Sequence, residues 1–249
     1  PYLMKNSVVP ASLLLLVVHV PHLMAQENRA NEKVVALPDT IAEQTRFLNK
    51  EFLVSTPKEQ PKSGKSPLIV FLHGKGSRGN NIGQIRGKGP PSRVKRNPKF
   101  TFFVVSPQCQ QDQEGKGWWH PNDLNLLLDH VKEKYPVDKK RIYLTGLSMG
   151  GFGSWAWGAG NPDTFAAIAP ICGRGDPRTA ARFKDLPVWA FHGDKDNIVP
   201  MSGSKQMVDA INAKDGKAKL TIYPGVGHNS WTRTYADPEL YKWFLRHSR

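Results

Sequence analysis

A largely parallel α/β sheet with helices on both faces is the fold this chain predicts, and three observations carry the prediction. Short, densely apolar runs rich in Val, Ile and Phe recur along it, and stretches of helical character separate them. The 249 residues, 39% hydrophobic, supply enough apolar material for one sizeable core. Strands covered on both faces read as continuous apolar runs, not alternating ones, as packing between two layers of helices requires.

Taken in order, residues 1–25 place Lys5 ahead of an apolar run over 8–20 and end in Leu23-Met24-Ala25 before polar Gln26-Glu27-Asn28. That layout predicts an export signal, and hence a secreted or periplasmic protein; the run is short for a stable membrane anchor. Residues 26–40 read as a polar lead-in and 41–249 as one domain. Within it, 41–60 predicts an edge strand or hairpin, and the Lys-, Pro-, Ser- and Gly-rich 57–67 a turn. Buried strands are predicted at 68–72, 100–105, 141–145, 166–171, 188–191 and 220–223, and helices at 124–135, 149–159, 201–213 and 238–246. The last helix opens on Asp237-Pro238-Glu239, an N-cap, a proline at the first helical position and an acid in the first turn.

The formal charge of +14 favours anionic surfaces or substrates. Arg86, Lys88, Arg93, Lys95, Arg96 and Lys99 follow one another with no acid between them. Without interleaved aromatics or a recognition-helix pattern they predict a solvated basic loop, and no nucleic-acid partner is expected. Gly64-Lys65-Ser66 resembles the end of a phosphate-binding loop, but Glu59 stands where its first glycine belongs. His192 with Asp194 or Asp196 lacks further spaced ligands, so neither a metal nor a cofactor is expected.

The chemistry concentrates where strand 141–145 runs into Gly146-Leu147-Ser148-Met149-Gly150-Gly151 and a helix. A sharp strand-to-helix turn strains the serine backbone and exposes its hydroxyl, while the flanking glycines remove side chains that would collide. Ser148 is the candidate nucleophile, and the Met149 N–H, at the start of the helix, a candidate oxyanion donor. A serine hydroxyl needs a base and the base an orienting acid, in the chain order Ser, acid, His. Strand 188–191 ends in His192-Gly193-Asp194-Lys195-Asp196, and strand 220–223 leads through Pro224-Gly225-Val226-Gly227 to His228. His228 is the candidate base; His247, three residues from the end, is its discounted rival. Of the two carboxylates, Asp196 is far enough from the strand end to fold back towards the histidine, while Asp194 suits a brace of the turn. The second oxyanion donor should follow strand 68–72, in His73-Gly74-Lys75-Gly76, with the Lys75 N–H preferred and His73 holding the loop.

On these motifs, together with Ser106-Pro107-Gln108-Cys109 and Gly227-His228-Asn229-Ser230-Trp231, residues 45–247 resemble the α/β-hydrolase superfamily. Within it the chain is similar to exported carboxylesterases of the phospholipase/carboxylesterase, feruloyl esterase, polyhydroxybutyrate depolymerase and prolyl-oligopeptidase-like kinds. The resemblance implies an α/β-hydrolase fold, a Ser148–His228–Asp196 triad and hydrolysis of short-chain, aryl or polymer-linked esters. It leaves open a serine peptidase, which uses the same machinery, and a non-catalytic binder of anionic polymers, which would not need all three residues. Only about 16 residues separate strands 166–171 and 188–191, with one short helix near 176–183, so no lid domain and an open site are expected. Trp118 and Trp119 in Gly117-Trp118-Trp119-His120 either stack on a sugar or phenolic ring or pack on the helix that follows, and Trp231 is a candidate pocket wall. In the superfamily's usual strand order Cys109 and Cys172 follow non-adjacent strands, beyond the roughly 7 Å Cα reach of a bridge, which predicts two unpaired, buried thiols.

Overall fold

The computed structural model describes residues 32–249 apart from Gln60, Lys62, Pro98 and Gln113; the export segment expected over 1–25 lies outside the described residues. Eight strands form one sheet: β1 (Glu32–Ala36), β2 (Leu48–Ser55), β3 (Ser66–Leu72), β4 (Phe103–Cys109), β5 (Val137–Leu147), β6 (Ala167–Ile171), β7 (Val188–Gly193) and β8 (Ala218–Tyr223). Their order is β1-β2-β4-β3-β5-β6-β7-β8. The pairs β1/β2 and β2/β4 are antiparallel and the other five parallel. Helices α1 (Asp39–Ala42), α2 (Pro91–Arg96), α3 (Pro121–Lys134), α4 (Met149–Gly160), α5 (Ser202–Asn212), α6 (Trp231–Ala236) and α7 (Pro238–Leu245) connect or flank them. Among the described residues, no helix is long and apolar enough to cross a membrane.

Period-two alternation sorts β3 between two cores. Leu68, Val70 and Leu72 join Leu124, Leu128, Trp157 and Met207 on one face, while Ile69 and Phe71 join Tyr143, Phe191, Leu240 and Phe244 on the other. Each such side chain contributes about 1.5–3 kcal/mol by leaving water. The apolar run is continuous because both faces are covered.

Three elements differ from the expectation, each for a tertiary reason. Glu32–Ala36 lies inside the expected polar lead-in but is a strand, because it pairs residue for residue with β2; the edge is therefore β1, and 48–55 is an inner strand. β4 starts at Phe103 and runs on through Pro107. Phe100 and Phe102 instead pack with Tyr241, and Pro107 is tolerated because β3 pairs with β4 only as far as Val105, leaving that side of Pro107 without a ladder. β5 begins at Val137, its polar Lys139 and Lys140 masking a start that pairs with Ser66. The Asp237 cap is present as expected, accepting from the Glu239 N–H at 2.9 Å.

Candidate active site

α4 has the sequence MGGFGSWAWGAG, a poor helix by propensity. Its first turn needs those glycines: a Cβ on Gly150 would sit 1.9 Å from the Leu72 carbonyl oxygen, and one on Gly151 2.4 Å from that of Ile171. The helix start is thereby pressed between β3 and β6. Ser148, at the junction, is held at φ 53° and ψ −117°, and its N–H donates to the Ile171 carbonyl at 3.0 Å. That strained turn carries the hydroxyl away from the sheet.

The loops after β7 and β8 meet it there. His228 Nδ1 lies 2.8 Å from Asp196 Oδ2, and its Nε2 2.9 Å from Ser148 Oγ. A carboxylate can only accept, so Nδ1 carries the proton and Nε2 is free to accept from the serine. Asp196 Oδ1 accepts from the Ile198 and Val199 N–H groups, both at 2.9 Å. Burial works to raise its pKa, but the bond from His228 and these two N–H groups outweigh it, and the carboxyl is held below its usual range. Asp194, the rival acid, instead accepts from the Gly225 N–H at 2.7 Å and braces the turn. His247 is remote from this site: its carbonyl accepts from the Tyr143 hydroxyl and its ring packs on Trp243.

His73 is buried and holds the loop after β3. Its Nδ1 donates to the Gly74 carbonyl at 2.7 Å and its Nε2 accepts from the Cys109 N–H at 2.9 Å. Burial, reinforced by Lys88 and Arg78 and opposed by the Gly74 bond, pushes its pKa down to about 4, consistent with that neutral form. Gly74 lies against the serine turn: a Cβ there would come within 2.8 Å of Leu147 Cδ1 and 3.6 Å of Ser148 Cβ. Lys75 then opens a 3-10 turn, as Met149 opens α4, so both N–H groups lie in first turns that leave them without a partner of their own.

Ser148, His228, Lys75 and Trp231 line a cavity of about 790 Å³. The Trp231 ring stands edge-on to His228 at 5.4 Å and forms its wall. Trp119 corrects the expectation of a stacking surface. Its ring is 2% exposed, its Nε1 donates to the His73 carbonyl at 3.1 Å, and it fills the space beside Gly153, so it supports the loop and meets no substrate. Trp118 is exposed but faces a different cleft.

Two functional features escaped the sequence. Lys88 and Arg93 line the cavity, and Lys88 Nζ donates to Ser77 Oγ at 2.8 Å, so part of the expected solvated basic loop is a wall of the site. The segment is solvated as expected, with Arg86, Lys88 and Lys99 exposed, and the charge run itself was the signal of this further role. His192 is the second: fully buried, its Nε2 lies 2.9 Å from the Val199 carbonyl and 3.2 Å from Asp196 Oδ2, behind the acid. Its place directly before Gly193-Asp194 was the available signal.

Cys109 and Cys172 are both free and buried, with β3 and β5 between their strands. Cys172, Asp196 and His228 bring ligand-type atoms within 4.8 Å of one another. Burial pushes the Cys172 thiol up to about 12, so at neutral pH it is a protonated neighbour of the acid and the imidazole. The segment after β6 holds only the 3-10 turn Pro177–Phe183, begun by Asp176 accepting from the Arg178 N–H, and no lid domain.

Comparison with known proteins places this geometry. The model of the Dienelactone hydrolase family matches residues 115–239. Poly(3-hydroxyalkanoate) depolymerase C of Paucimonas lemoignei is 26% identical over 212 residues, 72% of this chain and 49% of that protein. A probable feruloyl esterase C of Aspergillus flavus is 20% identical over 230 residues, 90% of this chain and 84% of that protein. Among solved structures, a thermostable esterase is 32% identical with a TM-score of 0.69, covering 88% of this chain and 63% of that one. The chain thus spans about half the length of the depolymerase it matches. The fold is that of the α/β-hydrolases, and the chain belongs to the Dienelactone hydrolase family.

Proposed function

We propose that the protein hydrolyses carboxylic esters through an acyl-enzyme, with Ser148 as nucleophile, His228 as general base and then acid, and Asp196 orienting the imidazole. One observation carries this reading: the unbroken hydrogen-bond chain from Asp196 through His228 to Ser148 Oγ at the wall of a cavity. His228 Nε2 takes the serine proton as Oγ bonds to the ester carbonyl carbon, and the carbonyl π electrons move onto oxygen. The Lys75 and Met149 N–H groups donate to that oxyanion, which returns its electrons as the alcohol leaves with the proton from His228. Water, deprotonated by the same imidazole, then releases the acid and restores the serine.

The relatives' names support ester over amide, and the absence of a lid segment after β6 supports short-chain, aryl or polymer-linked esters over long free acyl chains. The test is a panel of short-chain nitrophenyl, feruloyl and acetyl-sugar esters with a matched amide, run on wild type and Ser148→Ala. We expect ester turnover to exceed amide turnover and to fall by about 10⁴-fold or more in the variant. Near-full ester hydrolysis by Ser148→Ala would overturn the mechanism; a preference for the amide would make the protein a peptidase.

A further inference from the structure

A second cleft, of about 620 Å³, runs along α4 from Phe152 to Gly160 and shares no lining residue with the first. Its nearest wall to the chemistry is Phe152, whose N–H donates to the Ser148 carbonyl at 3.0 Å, one helical turn or about 5–6 Å along the axis from the nucleophile. Trp118 stands at its mouth, 46% exposed, and is held edge-on against Phe152 with ring centroids 5.7 Å apart. A large indole left in water yet fixed in orientation is a platform for a ring. Trp155 also lines the cleft; it is buried, and its indole N–H has no partner among the described residues.

The charge of the cleft is as particular as its shape. Arg174 and Arg182 both line it, and neither has a carboxylate partner among the described residues. Arg174 lays its stem over Gly203, where an added Cβ would meet it at 2.7 Å, and Arg182 Nε donates to the Ala159 carbonyl at 3.1 Å, so the fold holds the stem of the first and the guanidinium of the second. The one acid in the cleft, Asp176, is already held by the Arg178 guanidinium, with contacts of 2.6 and 3.0 Å. Two arginines without carboxylate partners, in a cleft that an exposed indole also lines, match a carboxylate carried on a sugar ring. The volume is within the roughly 300–1,000 Å³ of small-ligand sites.

We propose that this cleft binds a uronic acid unit of an oligosaccharide, its pyranose face on Trp118 and its carboxylate between Arg174 and Arg182. Ser148 then acts on an ester borne by the same acidic polymer. The proposal rests on the ester-hydrolase reading for its catalytic half only; the binding half stands by itself.

Calorimetric titration of the Ser148→Ala protein, which does not turn over substrate, separates the two. The probes are a galacturonic acid trimer, neutral xylotriose and benzoate. We expect the uronate trimer to bind at least tenfold more tightly than either of the others. Trp118→Ala and the pair Arg174→Gln with Arg182→Gln should each weaken it about tenfold, with Trp118→Phe retaining most of the affinity and circular dichroism confirming that each variant is folded. No uronate binding at millimolar concentration, equal affinity for xylotriose, or unchanged affinity in the folded variants overturns the proposal. Benzoate binding as tightly as the trimer overturns its sugar assignment. Failure of the catalytic reading would show separately, as ester hydrolysis surviving Ser148→Ala.

Discussion

Ser148 is a non-glycine residue at φ 53°, a conformation costing of order 1–3 kcal/mol, and the turn keeps it because Gly150, Gly151 and Gly74 let three strands close around it. His73 shows what the neighbouring loop costs in pH sensitivity. Its pKa falls from 6.5 in the unfolded chain to about 4 in the fold, so between those values the unfolded chain binds more protons and stability rises with pH. Its contribution is complete above 6.5 and is lost as pH drops through that window towards 4, on the order of 3 kcal/mol in all. Buried His192, also held below its usual value, acts in the same direction. We therefore expect urea midpoints of the wild type to fall steadily from pH 7 to pH 4.5, and His73→Asn to be less stable at pH 7 but flatter across the range. An unchanged slope in His73→Asn would place the sensitivity elsewhere.

At the scale of elements, α4 is the case where packing defeats propensity. Each interior glycine costs a helix about 1 kcal/mol relative to alanine, yet at Gly150 alanine would drive its methyl into the Leu72 carbonyl. Gly150→Ala should lose several kcal/mol of stability or fail to accumulate as folded protein. Gly160→Ala at the far end of the same helix, where a Cβ meets nothing within 4 Å, should be neutral or slightly stabilising. Chemical denaturation of both variants compares propensity with contact inside one helix; equal losses would mean that the Leu72 contact is not what selects glycine.

For the molecule as a whole, the charge of +14 bears on the cavity, since Lys75, Lys88 and Arg93 line it and, among the described residues, no carboxylate does. Such a field raises the encounter rate of anionic substrates and is screened as the Debye length shrinks from about 30 Å at 0.01 M salt to about 3 Å at 1 M. For an ester carrying a carboxylate, kcat/KM should fall several-fold over that range while a neutral ester of the same size changes little. Lys88→Gln combined with Arg93→Gln should flatten the dependence. Equal salt curves for the two esters would remove the charge from specificity.

Local order alone determined much of this protein. A buried strand, a glycine-flanked serine and a helix start in succession can only make a strained turn, and two later strands of the same sheet necessarily end at the same edge, so Ser148, Asp196 and His228 were legible because each follows its own strand. The tertiary structure decided whatever depends on what a side chain faces. Trp118 and Trp119 are neighbours in sequence and opposite in fate, one in a cleft and one in the core, because successive side chains point to different sides of the loop. Strand β1 exists because β2 offers it a ladder, and Lys88 and Arg93 border the chemistry because the basic segment is folded back over the serine turn. Strands and turns are written in a few adjacent residues, whereas walls and partners are set by atoms tens of residues away, and no local pattern records them.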